Sequence, residues 1–157
     1  MMHYLILFAI SMLPIVELRG AIPYAVANDL NLLISFPLAV IGNLLPIPFL
    51  LLYGGKVLRY FAKFDKIGWP FRKILELGEK KVTKKITSME KSLFLGLLAF
   101  VAIPLPGTGA WTGALVAITL NLDFKKSFWP IVLGVVIAGF IMAFVSVGVD
   151  AIVQSIV

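Results

Sequence analysis

The sequence contains no cysteine and a single histidine, His3, close to its start. The lack of cysteine excludes disulfides, thiolate nucleophiles, cysteine-bound zinc and cysteine-ligated iron–sulfur clusters. There is no dense group of acidic residues that could bind a metal in their place. We therefore predict that the protein is not an enzyme and that it holds no metal and no cofactor.

Charge is also scarce, because only 14% of the residues are charged while 61% are hydrophobic, and the mean hydropathy is +1.03. In a soluble domain about a quarter of all residues are charged. Three runs, 32–53, 92–120 and 128–149, contain no charge at all. A bilayer core of about 30 Å needs about 20 helical residues, so these runs predict an all-α integral membrane protein. The N-terminal stretch lacks a basic flank and a small-residue cleavage site, so we interpret it as part of the mature chain.

The basic residues are concentrated in the middle of the chain. The net charge is +6, and eleven of the fourteen Lys and Arg residues lie in 56–91. Apolar residues there recur at three- and four-residue steps, which predicts two amphipathic helices, either on the membrane surface or packed on the protein itself. Basic segments of membrane proteins stay cytoplasmic and contact anionic lipids. We therefore predict a prokaryotic plasma-membrane protein, with 56–91 cytoplasmic and no nucleic-acid partner.

The parts on either side of this basic segment follow the same order. In each, an apolar stretch is interrupted by a break, PIVELRGAIP in 2–27 and PLPGTG in 92–120, and a polar turn and a charge-free helix follow. We predict one membrane domain, 1–157, with an internal duplication of 1–55 and 92–157. Three local similarities support it: Gly20-Ala21 with Gly109-Ala110, Leu30-Asn31-Leu32 with Leu120-Asn121-Leu122, and Phe36-Pro37 with Trp129-Pro130.

The two interrupted stretches either cross the membrane as helices kinked by proline or enter it and return. Four crossings with 56–91 inside would place Lys125 and Lys126 outside, against the positive-inside tendency. Two re-entrant hairpins would place the Lys and Arg residues on the cytoplasmic side, with Arg19 as the single exception among fourteen. We therefore predict an inverted repeat, in which each half is a re-entrant helical hairpin followed by a transmembrane helix.

Glu17 and Arg19 lie in the first break, although ionisable groups at membrane depth are expensive and usually pair or line a pathway. A half-helix that starts after such a break offers free N–H groups to an anion, and Thr108 is expected to cap the second one. Glu17 would exchange a proton and Arg19 hold an anion, or the two would neutralise each other and fix the break. Asn43 would line the same pocket or bond between helices. The candidate substrate- or proton-binding residues are Glu17, Arg19, Gly20, Pro23, Asn43, Pro104, Pro106, Gly107, Thr108, Gly109, Trp111 and Thr112.

ELRGAIP (Glu17–Pro23) and PLPGTGAWTG (Pro104–Gly113) together resemble the small multi-drug export proteins over nearly the whole chain, which implies efflux. The chain is also distantly similar to the DedA superfamily. That resemblance implies two opposed re-entrant hairpins, an acid in the first of them like Glu17, and proton-dependent handling of lipid-carrier phosphates. The basic residues of that family's second hairpin are absent, since Val101, Ala102 and Gly107 stand there.

We predict a proton-coupled membrane transporter that moves a small amphiphilic or anionic substrate through a site at the midplane. The alternatives are a translocase for polyprenyl phosphate or phospholipid, and a scaffold that works through 56–91 and transports nothing. A chain with two full crossings can hardly enclose a pathway alone, so we expect a homo-oligomer.

Overall fold

The computed structural model describes residues 1–61, 90–105 and 107–156, and in these ranges it contains seven α-helices and no strand. The prediction of an all-α protein is confirmed for this part of the chain. Residues 62–89, most of the predicted amphipathic segment 56–91, lie outside the described residues. The helices are α1 (Met2–Met12), α2 (Glu17–Ala27), α3 (Leu32–Leu44), α4 (Ile47–Phe61), α5 (Glu90–Ala102), α6 (Ala110–Thr119) and α7 (Phe124–Ile156).

Two helical stretches are long and apolar enough to cross a membrane. They are Leu32–Leu58, which runs through α3 and α4, and α7 with 33 residues. At 1.5 Å per residue α7 is about 50 Å long, more than a bilayer core of about 30 Å requires. The predicted spans 32–53 and 128–149 fall within these two stretches. Regular helical hydrogen bonding is interrupted between α3 and α4, where Pro46 has no N–H to donate.

Each short helix pair turns back, so that both ends of the segment lie close together. In the first segment, the ring Nδ1 of His3 on α1 is 3.0 Å from the hydroxyl oxygen of Tyr24 on α2. In the second segment, residues 91–95 at the start of α5 and residues 120–123 after α6 line one cavity. A single straight helix of this length would hold its ends about 40 Å apart. Both segments therefore fold as hairpins, and their position relative to the membrane stays a prediction.

The two long helical stretches run in opposite directions. Phe36, near the start of α3, packs on Phe140 in the middle of α7, with 4.8 Å between the ring centroids. Gly54, late in α4, faces the Ile118 side chain, which lies just before α7 begins. The short helices also exchange partners, because α2 packs on α7 and α6 packs on α4. The hairpins consequently open at opposite ends of the molecule.

Similar contacts recur in the two halves where glycine lets two helices approach. A Cβ atom on Gly42 would lie 3.0 Å from the carbonyl oxygen of Phe8, and one on Gly134 would lie 3.0 Å from that of Leu98. Each of these glycines therefore brings a long helix against the first short helix of its own half. Phe8 and Leu98 are 90 positions apart, and the two glycines are 92 apart.

The polar turns after α2 and α6 are also built alike. Asp29 and Asn121 have positive φ angles of 51° and 50°, and the residue after each donates its N–H back into the helix. Leu30 donates to Ala25 at 2.9 Å, and Leu122 donates to Ala117 at 3.0 Å. The turn therefore matches Leu30 with Leu122. The sequence alignment of Leu30-Asn31-Leu32 with Leu120-Asn121-Leu122 was wrong by two positions, because the second break is longer than the first.

Candidate functional site

The site lies where the tips of the two hairpins meet. The first break separates α1 from α2, and the second, longer break separates α5 from α6. Glu17 and Arg19, in the first turn of α2, both reach across to the second break. A charged pair on one hairpin thus binds the backbone that the other hairpin leaves without helical partners.

The Glu17 carboxylate caps the N-terminus of α6. Its side chain is buried, with 4% of its surface exposed. Oε2 accepts a hydrogen bond from the N–H of Ala110 at 3.2 Å, and Oε1 accepts one from the N–H of Trp111 at 3.1 Å. The first N–H groups of a helix have no partner within the helix, and its positive end favours an anion. Glu17 supplies both the missing acceptors and the negative charge.

The prediction that Thr108 caps α6 was wrong. No side-chain cap is made at this helix end by its own segment, where the residue before α6 is Gly109. The Thr108 hydroxyl lies 2.8 Å from the carbonyl oxygen of Ile103 and 2.9 Å from that of Leu105, and donates toward them. Thr108 therefore closes the loop of its own break, because the carboxylate of Glu17 already occupies the position in front of α6.

Gly109 makes room for this carboxylate. Its φ angle is 144°, a backbone conformation that residues with a side chain rarely adopt. A Cβ atom at this position would collide with the Glu17 carboxylate. Conformation and space therefore both require glycine here. Gly107, with a φ of 81°, has open space around it, so its requirement is conformational only.

The Arg19 guanidinium binds the carbonyl groups at the other side of the same break. Its Nη1 donates to the oxygens of Thr108 and Leu105, the latter at 2.6 Å. Its Nη2 donates to the oxygens of Ile103 at 3.1 Å and Val101 at 3.2 Å. The last carbonyls of a helix lack partners and form its negative end, which favours a cation. Arg19 thus does for the end of α5 what Glu17 does for the start of α6.

We call Glu17, Arg19 and the backbone groups that they bind the clamp. The charges are placed according to the dipoles of α5 and α6, the acid at a helix start and the base at a helix end. No direct ion pair joins Glu17 to Arg19 in the part of the chain that the structure describes. The two charges attract each other without direct contact, and each also holds the second break through its backbone groups.

Glu17 adopts a strained backbone conformation in order to reach α6. Its φ angle is 53°, in the left-handed region that non-glycine residues seldom occupy. Such a conformation costs about 1–3 kcal/mol and persists where the surroundings determine it, often at functional sites. Its own N–H still donates to the carbonyl of Leu13 at 2.9 Å. The strain is therefore concentrated at the residue that carries the buried carboxylate.

Asn43 on α3 lies beside the clamp. Its side chain is 2% exposed and interacts with the Glu17 carboxylate. The amide oxygen Oδ1 of Asn43 and the indole Nε1 of Trp111 are buried and have no hydrogen-bond partner among the described residues. A buried polar atom without a partner is unfavourable and needs an explanation. An unused acceptor next to a buried carboxylate is a chemical feature that the sequence alone did not indicate.

The remaining predicted site residues serve the shape of the breaks. Gly20 and Pro23 lie within α2, and the N–H of Gly20 donates to Val16 at 3.1 Å. The Thr112 hydroxyl donates to the carbonyl of Gly109 at 3.3 Å. Pro104 lies in the second break, while Pro106 is outside the described residues. Gly20, Pro23 and Pro104 carry no polar side chain, and the Thr112 hydroxyl is bound within its own segment.

The space enclosed at the clamp is too small for a water molecule. It is bounded by Glu17, Arg19, Asn43 and Gly109, together with residues of α5 and α7. The predicted polar pocket is therefore closed in this conformation, and the charged groups of Glu17 and Arg19 are bound to backbone groups. Sequence reasoning identified Glu17 and Arg19 but missed their partners, because these are backbone groups of the second break and of the helix ends beside it, which no residue type reveals.

The fold and the site define a small all-α membrane protein whose two helical hairpins are joined at their tips by buried charges. The sequence model of one family, described as "Putative small multi-drug export protein", matches residues 17–141, and the chain belongs to this family. The match begins at Glu17 and includes the whole clamp. Searches of curated proteins and of solved structures gave no match. The similarity to the DedA superfamily stays a prediction.

Proposed function

We propose that this protein is a proton-coupled exporter of a small amphiphilic or anionic substrate, and that the clamp is its closed gate. The observation that carries the proposal is the buried Glu17 carboxylate on the first two N–H groups of α6. Those N–H groups form an anion site, and a protein carboxylate occupies it. The family description, a small multi-drug export protein, supports export as the direction of transport.

The hairpins of this exporter enter a prokaryotic plasma membrane from opposite faces and meet near its midplane. Three observations support this arrangement: each segment turns back on itself, the two long helical stretches are antiparallel, and contacts recur 90 and 92 positions apart. Broken helices at an inverted-repeat interface are a recurrent plan of membrane transporters. In this orientation residues 56–91 are cytoplasmic and lie against anionic lipids.

Protonation of Glu17 opens the gate. The neutral acid loses its attraction to the start of α6, and its new O–H group can donate to the side chain of Asn43, whose Oδ1 has no partner among the described residues. The N–H groups of Ala110 and Trp111 are then released, and the gate opens. When Glu17 loses its proton on the cytoplasmic side, the carboxylate returns to these N–H groups and closes the gate.

Arg19 holds the rest of the second break in place during this exchange. Its guanidinium faces carbonyl oxygens in the closed gate, so the predicted role in holding an anion requires a change of partners. While those contacts persist, the end of α5 stays fixed and only the start of α6 changes partner. A homo-oligomer would complete the pathway, since two spanning stretches enclose no channel.

A scaffold that transports nothing is the second candidate, and the closed clamp favours it. The contacts of Glu17 and Arg19 with backbone groups could serve only to hold the two hairpins together. A DedA-type lipid translocase would use the same gate for a lipid phosphate. It is the weaker of the two alternatives, because the second hairpin carries Val101, Ala102 and Gly107 where that family has basic residues.

Everted membrane vesicles distinguish these functions. We expect vesicles with the protein to accumulate the anionic dye 1-anilinonaphthalene-8-sulfonate when the interior is acidified, and to stop when the pH gradient is collapsed. Glu17→Gln should abolish accumulation, while Asp150→Asn, which changes an acid outside the clamp, should not. Accumulation that survives Glu17→Gln contradicts proton coupling through Glu17. The scaffold would be supported by two results together. Neither this dye nor the cationic dye ethidium accumulates, and replacing the basic residues of 56–91 with neutral ones causes a cellular defect.

A further inference from the structure

The second hairpin is open at the end away from the clamp, while the first is closed there. In the first hairpin α1 packs along α2, and His3 contacts Tyr24 at the open end. In the second hairpin α5 and α6 contact each other much less. Their separation leaves a cavity of about 480 Å³ between the start of α5 and the turn after α6. This volume is within the range of about 300–1,000 Å³ that is typical of ligand sites.

The cavity has an apolar wall and a basic edge. Leu93, Phe94 and Leu122 contribute apolar surface, and Lys91 and Lys126 are the cations among the described residues that line it. Asp123 also lines it and pairs with Lys126, with 3.3 Å between Oδ2 and Nζ. Among these described residues the lysines therefore outnumber the acids. Such a site fits a molecule with an apolar body and a negative head.

The cavity lies where the long helix α7 begins. Phe124, Phe128 and Trp129 form an aromatic group there, with 5.3 Å between the stacked rings of the two phenylalanines. Aromatic rings and lysines together are typical of the level of lipid headgroups. A site at this level is reached by the lipids of the surrounding bilayer, whose apolar chains and headgroups meet at the same depth.

A zwitterionic lipid would gain little from two lysines. An anionic lipid matches both the sign of the edge and the apolar wall.

We propose that this cavity binds an anionic phospholipid of the bilayer. An acyl chain lies among Leu93, Phe94 and Leu122, and the headgroup phosphate contacts Lys91 and Lys126. The site is separate from the clamp, at the opposite end of the second hairpin, so it does not depend on the proposed export. A lipid there fills the space between α5 and α6 and thereby stabilises the hairpin in its open-ended form.

Native mass spectrometry of the full-length protein in detergent tests this site. Dioleoyl phosphatidylglycerol and dioleoyl phosphatidylcholine are compared, because they share acyl chains and differ in headgroup charge. We expect preferential binding of phosphatidylglycerol. A lysine near a lipid surface contributes about fivefold in affinity, so Lys91→Ala with Lys126→Ala should weaken binding about 25-fold. The matched control is Lys56→Ala with Lys125→Ala, two exposed lysines that do not line the cavity.

Two further variants separate this cavity from general attraction to a basic surface. Asp123→Asn should strengthen phosphatidylglycerol binding, because it removes the negative charge beside Lys126. Leu93→Trp should fill the cavity and abolish the preference, and Leu133→Trp on α7 is its lipid-facing control. Circular dichroism verifies that each variant is folded. Equal binding of both lipids, equal losses in the two double-lysine variants, or undiminished binding to Leu93→Trp would each overturn the proposal.

Discussion

Removal of the Glu17 carboxylate should destabilise the protein by about 3 kcal/mol. Glu17→Ala leaves the N–H groups of Ala110 and Trp111 without their acceptors at a buried helix start. A buried donor left unsatisfied costs about 1–3 kcal/mol, which gives about 2–6 kcal/mol for two. Relief from holding a buried charge offsets part of that amount. Glu17→Gln keeps one acceptor oxygen, so we expect about half of the loss.

The assay is equilibrium unfolding in mixed micelles by titration with dodecyl sulfate, followed by the loss of helical circular dichroism. Asp150→Ala is the control, because the Asp150 carboxylate accepts one exposed hydrogen bond, from Gln154 at 2.8 Å. Such a surface contact contributes about 0–1 kcal/mol. If Glu17→Ala lowers the free energy of unfolding by no more than Asp150→Ala does, Glu17 does not hold the start of α6.

Three other substitutions test the packing around the clamp. Arg19→Lys should lower the free energy of unfolding by about 1–3 kcal/mol, because a compact ammonium cannot reproduce the contacts of a planar guanidinium with several carbonyls; an unchanged value would contradict those contacts. Gly109→Ala should destabilise strongly alone and less in the Glu17→Ala background, where the collision is absent; strict additivity in this double-mutant cycle would be the contrary result. Gly42→Leu should destabilise by more than about 3 kcal/mol, since it displaces α1, whereas Gly148→Leu, which has nothing within 4 Å, should be tolerated; similar values for both would refute the close approach.

Hydropathy predicted the helical class and the position of both long stretches, because about 20 apolar residues have few uses other than spanning a bilayer. Clusters of proline and glycine predicted the breaks, since proline has no N–H to donate within a helix and glycine is a poor helix former. The residue-by-residue correspondence between the two halves was harder to predict from the sequence. Leu30 matches Leu122, and not Leu120, because backbone geometry recurs in the turns while the residue types there differ.

The partners of the two buried charges could not be predicted from the sequence. Glu17 and Arg19 stood out because charge is costly at membrane depth. What they bind is main chain, at the start of α6 and the end of α5, and every residue type offers the same N–H and C=O groups. The prediction that Thr108 caps α6 was wrong for this reason. The sequence indicates the nearby hydroxyl of Thr108, whereas the carboxylate of Glu17, more than 90 residues away in the chain, caps α6.

The central claim is that two hairpins from opposite faces meet at the clamp, and membrane topology tests it most directly. The chain has no cysteine, so single cysteines at Asn28, Ser88 and Lys125 can be labelled in intact cells with an impermeant maleimide. We predict labelling of Asn28 from outside, and of Ser88 and Lys125 only after the cells are opened. Labelling of Lys125 from outside while Ser88 stays protected would mean that 92–120 crosses the membrane, and would contradict the account.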